Sequence, residues 1–241
     1  MISVSIVSHG HGDMIVDLVS SLKKIPEITQ IILTLNIPED IRIQDDEILK
    51  IITNSSPKGY GANHNSAFNC SINEYFCVLN PDIRILRNPF PLLLNFINRE
   101  SLGLVSPKIV NLDNIEEDSM RYFPTIYLHV KKLLGFSQGI FKSESNEVYP
   151  DWVGGMFMLF TKEAYQLVKG FDESFFLYYE DVDICARLMK NKIKVGGLKT
   201  AVAVHNARRD SRVNYKYMKF HAKSLIRYYL KYLFRLPKNK H

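Results

Sequence analysis

Short apolar runs alternate with stretches of helical period over the first hundred residues, and no feature constrains the fold more. Ile2–Val7, Gln30–Leu35, Glu47–Thr53 and Tyr75–Leu79 are rich in Ile, Val and Leu and are bounded by turn residues, as buried strands are. Between the first two, Met14–Lys24 spaces Ile15, Leu18, Val19 and Leu22 along one helical face. Gly61–Ile72 reads as a second helix, and Asn88-Pro89 opens a third, a capping residue followed by proline in the first turn. This alternation predicts an α/β chain whose mostly parallel, Rossmann-like sheet carries helices on both faces.

After Leu102 the pattern is mixed. Leu102–Val110 reads as a strand, Ile126–Leu134 as a helix, Val153–Phe160 as a strand and Lys162–Val168 as a short helix. A helix at Asp181–Lys190 and strands near Ile193–Gly196 and Ala201–Val204 complete the list. With 241 residues and no internal repeat or low-complexity linker, the chain can bury its core in one domain. We expect that domain over 1–212, in a regular half (1–100) and a mixed half (101–212), with a separate segment at 213–241.

Charge marks that last segment. The chain carries a formal +6, yet 213–241 holds eight Lys or Arg and no acid, so the remainder is near neutral. A nucleic-acid-binding domain more often spreads its bases over the folded surface, so no nucleic-acid partner is expected. Lys216, Lys219, Lys223, Arg227, Lys231 and Arg235 recur every three or four residues, with Met218, Leu225, Ile226, Tyr229 and Leu233 around the remainder. Two arrangements follow: a helix packed on the domain with a solvated basic face, or an interfacial helix on anionic lipid, where each base contributes ~1 kcal/mol. The apolar stretch Trp152–Phe160 is too short to span a bilayer, and Met1–Val7 lacks a signal leader. Cys70, Cys77 and Cys185 form no CxxC pair, which fits a reducing compartment. A cytoplasmic protein, peripheral on the inner face of the membrane, is the expectation.

Three segments carry chemistry. Asn80-Pro81-Asp82 directly follows the run Tyr75–Leu79, and open α/β sheets bind ligands beyond the carboxyl ends of their strands. A carboxylate there can ligate a hard cation and leave positions for phosphate oxygens, although Asn-Pro-Asp is also a turn in its own right. Next, the aromatic run Phe175–Tyr179 leads into Glu180-Asp181-Val182-Asp183 at a helix start. One of these acids can cap the helix and Asp183 can pair with Arg187, while apolar walls favour general-base work. Last, His205 ends an apolar run, with Arg208, Arg209 and Arg212 behind it, a set suited to a metal-bound diphosphate or simply to structure.

In order along the chain, these segments resemble the family 2 glycosyltransferases of GT-A fold. The resemblance runs from Val4-Ser5-Ile6-Val7-Ser8 to about Arg212 and includes Asp151-Trp152-Val153-Gly154-Gly155. Lys58-Gly59-Tyr60-Gly61-Ala62-Asn63-His64-Asn65 and Arg121-Tyr122-Phe123-Pro124-Thr125 look most like bacterial rhamnosyltransferases. The resemblance implies nucleotide-sugar binding by 1–100 and an acceptor and catalytic half in 101–212. Asp82 matches the last acid of the family's metal motif, whose first position is Asn80 here, and His205 a residue that completes the site for Mg2+ or Mn2+. Asp181 matches the catalytic base. Ser8, His9 and Gly10 match positions near the nucleobase, and Asn36 replaces the usual acid after the second strand. Asp151, Trp152, Gly154, Gly155 and Glu180 match the wall facing sugar and acceptor, and Arg208, Arg209 and Arg212 the diphosphate contacts.

The implied activity is inverting transfer of a sugar, L-rhamnose from dTDP-L-rhamnose, to a glycan or polyprenyl-linked acceptor in bacterial polysaccharide (O-antigen) synthesis. UDP-sugars are the alternative donors. A dehydrogenase is disfavoured because Gly59-Tyr60-Gly61 lacks the third glycine, and a nucleotidyltransferase because His9-Gly10-His11-Gly12 is no phosphate loop. A non-catalytic anion- or nucleic-acid-binding module would use the tail and leave Glu180, Asp181 and Asp82 without a role.

Overall fold

Strand β1 (Ile2–Ser8) lies inside the sheet and is covered on both sides. Ile2, Val4 and Ile6 are buried on one face, and Ser3 and Ser5 are as deeply buried on the other. A buried hydroxyl costs about 1–3 kcal/mol unless it is hydrogen-bonded. Accordingly, Ser3 Oγ donates to Gln30 Oε1 at 2.6 Å, and Ser5 Oγ shares a 2.8 Å hydrogen bond with His64 Nδ1.

The computed structural model describes residues 1–128, 141, 143–206, 215–232 and 235–237. After β1 come α1 (Asp13–Leu22), β2 (Ile28–Leu35), β3 (Leu49–Thr53), α2 (Tyr60–Phe68), β4 (Tyr75–Leu79) and β5 (Ile83–Arg84). Then follow α3 (Phe90–Arg99), β6 (Leu102–Val110), β7 (Met120–Arg121), β8 (Glu147–Val148), β9 (Trp152–Val153) and β10 (Phe157–Thr161). The chain continues through α4 (Lys162–Leu167), α5 (Glu180–Lys190), β11 (Lys194–His205) and α6 (Tyr215–Tyr232). The main sheet has the order β3-β2-β1-β4-β10-β6-β11-β5, with β8 also on β11. β3, β2, β1 and β4 pair in parallel, as do β6 and β11, whereas β10 runs antiparallel between β4 and β6. Helices α1 and α3 cover one face through Ile15, Leu18, Leu22, Phe90 and Leu93. α2, α4, α5 and α6 cover the other, where Phe76, Phe160, Tyr165, Ile184 and Tyr228 meet. The mostly parallel α/β sheet with helices on both faces is the expected one.

Three segments differ from expectation. The apolar run Val153–Phe160 is two strands, because the chain leaves the ribbon β7–β9 at Gly154-Gly155 and enters the main sheet as β10. The two strands expected at 193–204 are one, β11, whose pairing with β6 shifts register between Leu198 and Val202. The polar Lys199-Thr200 in that irregularity conceals the continuity. The helix expected at Ile126–Leu134 is described only at 126–128, and its remainder lies outside the described residues.

Helix α6 packs on the domain. Ser224, Tyr228 and Tyr232 are buried, and Phe220 stacks on Phe176 at 4.8 Å. Lys231, counted on the basic stripe, turns inward instead, to Asp172 at 2.5 Å and Asp183 at 2.6 Å, because these two acids supply the charge it needs there. The opposite face exposes Tyr215, Met218, Ile226 and Leu230 beside Lys219 and Lys223. Among the described residues, no helix is long and apolar enough to cross a membrane.

Candidate active site

Proline stiffens the turn after β4, and Ile83 N–H closes it on Asn80 O at 3.2 Å. The chain then forms β5, which pairs with the end of β11 so that Ile83 faces His205. That pairing joins Asp82 and His205, with Nε2 3.2 Å from Asp82 Oδ2. On the far side of the ring, Nδ1 lies 2.6 Å from Glu117 Oε2. Burial opposes a charged imidazole here, but the hydrogen bonds and charges of Asp82 and then Glu117 outweigh it and raise His205 to about 9.

The second group opens α5. Tyr178 and Tyr179 both have positive φ, at 71° and 69°, a conformation that costs non-glycine residues of order 1–3 kcal/mol each. Packing from α6 holds them: both rings lie 5.4 Å from His221, and Tyr179 is 5.3 Å from Tyr228. This turn aims Asp181 at Gly155, whose N–H donates to Oδ2 at 3.1 Å, while Val182 N–H donates to Oδ1 at 2.8 Å. Burial raises the Asp181 carboxyl, and the amides of Val182 and Gly155 oppose that rise without cancelling it. Glu180 is buried with Oε2 unpartnered among the described residues, and burial followed by the Asp181 charge pushes it well above the usual carboxylate range.

Tyr60, at the start of α2, links the two groups. Its hydroxyl lies 2.6 Å from Gly155 O and 3.3 Å from Asn80 Oδ1. A Cβ on Gly155 would come within 3.2 Å of that hydroxyl, so the glycine allows the close approach. Burial, then the charges of Glu180 and Asp181, hold Tyr60 protonated. Arg121 is a second residue the sequence did not single out for a role. Its guanidinium pairs with Asp118, lies 5.6 Å over the Trp152 ring, and its charge lowers the Asp181 carboxyl. Trp152 Nε1–H donates to Tyr122 O at 2.9 Å, Phe123 N–H donates to Asp151 Oδ2 at 2.9 Å, and Gly154 N–H donates to Ser119 O at 2.8 Å.

Ser8, His9, Gly10 and Asn36 gather at the far end of β1 and β2. Ser8 Oγ donates to Glu39 at 2.8 Å, and the same carboxylate accepts from Gly10 N–H at 2.7 Å and His11 N–H at 3.1 Å. Gly10 has φ 80°, which suits glycine. Asn36 is buried, and its side chain is taken up within the protein: Oδ1 accepts from Lys58 N–H and Asn54 Nδ2, and Nδ2 donates to Lys58 O. Arg208, Arg209 and Arg212 lie outside the described residues.

The donor set at Asp82 and His205 fits a divalent cation. Among the described residues Asp82 Oδ1 is buried without a partner, and Oδ2 already faces an imidazole nitrogen. The carboxylate oxygen suits Mg2+ or Mn2+, and the imidazole suits a transition-metal ion. No three or more His, Cys, Asp or Glu are arranged to hold one metal ion among the described residues, so phosphate oxygens and water would complete the shell.

A family model described as the N-terminal domain of galactosyltransferase matches residues 135–220, less than half of the chain. Rhamnosyltransferase WbbL of Escherichia coli (strain K12) is 27% identical over 250 residues, covering 95% of this chain and 92% of that protein. Among solved structures, GalNAc-T7 with UDP, GalNAc and Mn2+ superposes with a TM-score of 0.69 at 14% identity, over 89% of this chain and 44% of that one. The mannosyltransferase PcManGT from Pyrobaculum calidifontis, solved with GDP-Man and Mn2+, gives 0.64 at 11% identity, over 96% and 64%. The chain thus spans about half to two thirds of those enzymes but almost all of WbbL. The fold is that of GT-A glycosyltransferases, and in sequence the chain is similar to a bacterial rhamnosyltransferase.

Proposed function

We propose that the chain is an inverting, divalent-cation-dependent glycosyltransferase that moves L-rhamnose from dTDP-L-rhamnose to a hydroxyl of a glycan or polyprenyl-linked acceptor. The observation that carries this reading is the pair Asp82–His205, connected through Asn80, Tyr60 and Gly155 to a second half-buried carboxylate, Asp181. Asp82 and His205 hold the cation; when bound, Mg2+ or Mn2+ supplies Lewis-acid stabilisation of the departing diphosphate. Asp181 accepts the acceptor's hydroxyl proton as its oxygen bonds to the anomeric carbon and the bond to the diphosphate oxygen breaks. The attack comes from the face opposite the diphosphate, so one displacement inverts the centre. Raised by burial, the Asp181 carboxyl is a stronger base than an exposed aspartate. Asp151, Trp152, Gly154 and Glu180 line the sugar and acceptor, Ser8, His9, Gly10 and Asn36 the nucleoside, and Arg208, Arg209 and Arg212 close on the diphosphate.

The outer face of α6 rests on anionic lipid. Its exposed Tyr215, Met218, Ile226 and Leu230 enter the interface while Lys219 and Lys223 meet the headgroups. A polyprenyl-linked acceptor would lie in the same surface, on the cytoplasmic side where the nucleotide-sugar donor is made. Donor preference rests on the likeness to WbbL and on the Lys58–Asn65 and Arg121–Thr125 stretches.

The test is nucleoside diphosphate release from dTDP-L-rhamnose and from UDP-hexoses, with and without Mn2+. Release from dTDP-L-rhamnose that depends on Mn2+ is expected. Turnover of UDP-sugars alone would replace the donor, and binding of neither class would remove the transferase reading.

A further inference from the structure

We infer that Glu117 is a positioning residue for the cation site: it fixes the ring and proton of His205 so that Nε2 faces the position beside Asp82. This rests on the proposed divalent-cation site and names a residue that no part of that reading uses.

The geometry is set by the sheet. β6 and β11 are parallel neighbours paired up to Val110 and Val204, so the chain leaving β6 runs beside the end of β11. There it is pinned: Val110 bridges Glu116, Glu117 N–H donates to Ile109 O at 2.8 Å, and Ser119 N–H donates to Glu117 O at 2.9 Å. The Glu117 side chain is thereby delivered to His205 Nδ1 at 2.6 Å. The two ring nitrogens point in different directions, so Glu117 on Nδ1 leaves Nε2 to Asp82 at 3.2 Å. With Nδ1 held by Glu117, Nε2 is the ring nitrogen left to meet a cation, which would displace the proton that Nε2 shares with Asp82. Histidine ligands commonly have such a carboxylate partner, and its loss costs about 10–100-fold in cation affinity. Asp82 Oδ2 is the oxygen the ring faces, and Oδ1 of the same carboxylate is buried without a partner among the described residues.

The test is a double-mutant cycle read by Mn2+ affinity, in the full chain with nucleoside diphosphate present. Glu117→Gln keeps the shape and removes the charge. It is expected to bind Mn2+ about 10–100-fold more weakly than wild type and to melt at the same temperature. In the His205→Ala background the same change is expected to cost nothing more, because its effect runs through the ring. If Glu117→Gln melts early, Glu117→Asp reads the same cycle. Wild-type Mn2+ affinity in the single mutant, or an equal loss in both backgrounds, overturns the positioning role and leaves the cation site standing. No Mn2+ binding by the wild type removes the cation site and this role together.

Discussion

Asp181 and Asp183 stand two residues apart in the first turn of α5, the one half-buried and the other fully buried, and are treated in opposite ways. Asp183 is fully buried and meets Arg187 Nε at 2.7 Å, Tyr232 Oη at 2.7 Å and Lys231 Nζ at 2.6 Å. Asp181 receives backbone amides, from Gly155 at 3.1 Å and Val182 at 2.8 Å. Two cations and a phenol neutralise the first and tie α5 to α6. The second keeps a raised affinity for protons, because burial outweighs the amides that oppose it. Proximity in sequence therefore says little about role: what each carboxylate meets decides whether it anchors or reacts.

The comparison breaks most visibly at Asp183. Asp183→Ala leaves Lys231 and Arg187 without their buried partner, and a loss of about 3 kcal/mol is expected in denaturant unfolding. Ending the chain at Arg212 should act in the same direction and also impair activity on a short soluble acceptor, because α6 holds the Tyr178–Tyr179 turn that aims Asp181. Full stability of Asp183→Ala would make the two acids equivalent.

Asp181→Asn sharpens the other side. Turnover should fall by ~100-fold or more, as for a lost general base, with nucleotide binding nearly unchanged. Its folded-state pKa is raised, so the ionised carboxylate costs the fold stability as pH rises through that value. Asp181→Asn should thus melt no lower than wild type, and its relative stability should grow with pH in thermal melts. Normal turnover would remove Asp181 from the mechanism.

The smallest effect belongs to the outer face of α6. Lys219→Gln with Lys223→Gln should weaken sedimentation with anionic liposomes by a few-fold to about 30-fold, at ~1 kcal/mol per base, without altering the melting temperature. Added salt should weaken the wild type likewise. Unchanged sedimentation would leave α6 as a packing element only.

Much of the scaffold was legible in the chain. Tyr75–Leu79 and Leu102–Val110 are strands at the bounds their apolar runs imply, and α5 begins within one residue of its expected start. The run Val153–Phe160 misled because apolar composition does not say which sheet a residue enters. Asp82 and His205 stood out at strand ends and Glu180, Asp181 and Asp183 at a helix start, and only the family resemblance singled out Asp181 among the three acids. Glu117 could not, since Asn114-Ile115-Glu116-Glu117-Asp118 reads as an acidic loop. Tyr60 and Arg121 stood inside motifs without a visible task.

By itself the sequence determined where the chain is buried and with what period, because burial repeats every two residues in a strand and about every 3.6 in a helix. Tertiary structure alone decided partners: Glu117 for His205, Lys231 for Asp183, Gly155 for Asp181. Those contacts join residues 26 to 88 positions apart. Acids with the same local surroundings are told apart only when the sheet order brings a particular cation, amide or imidazole against each of them.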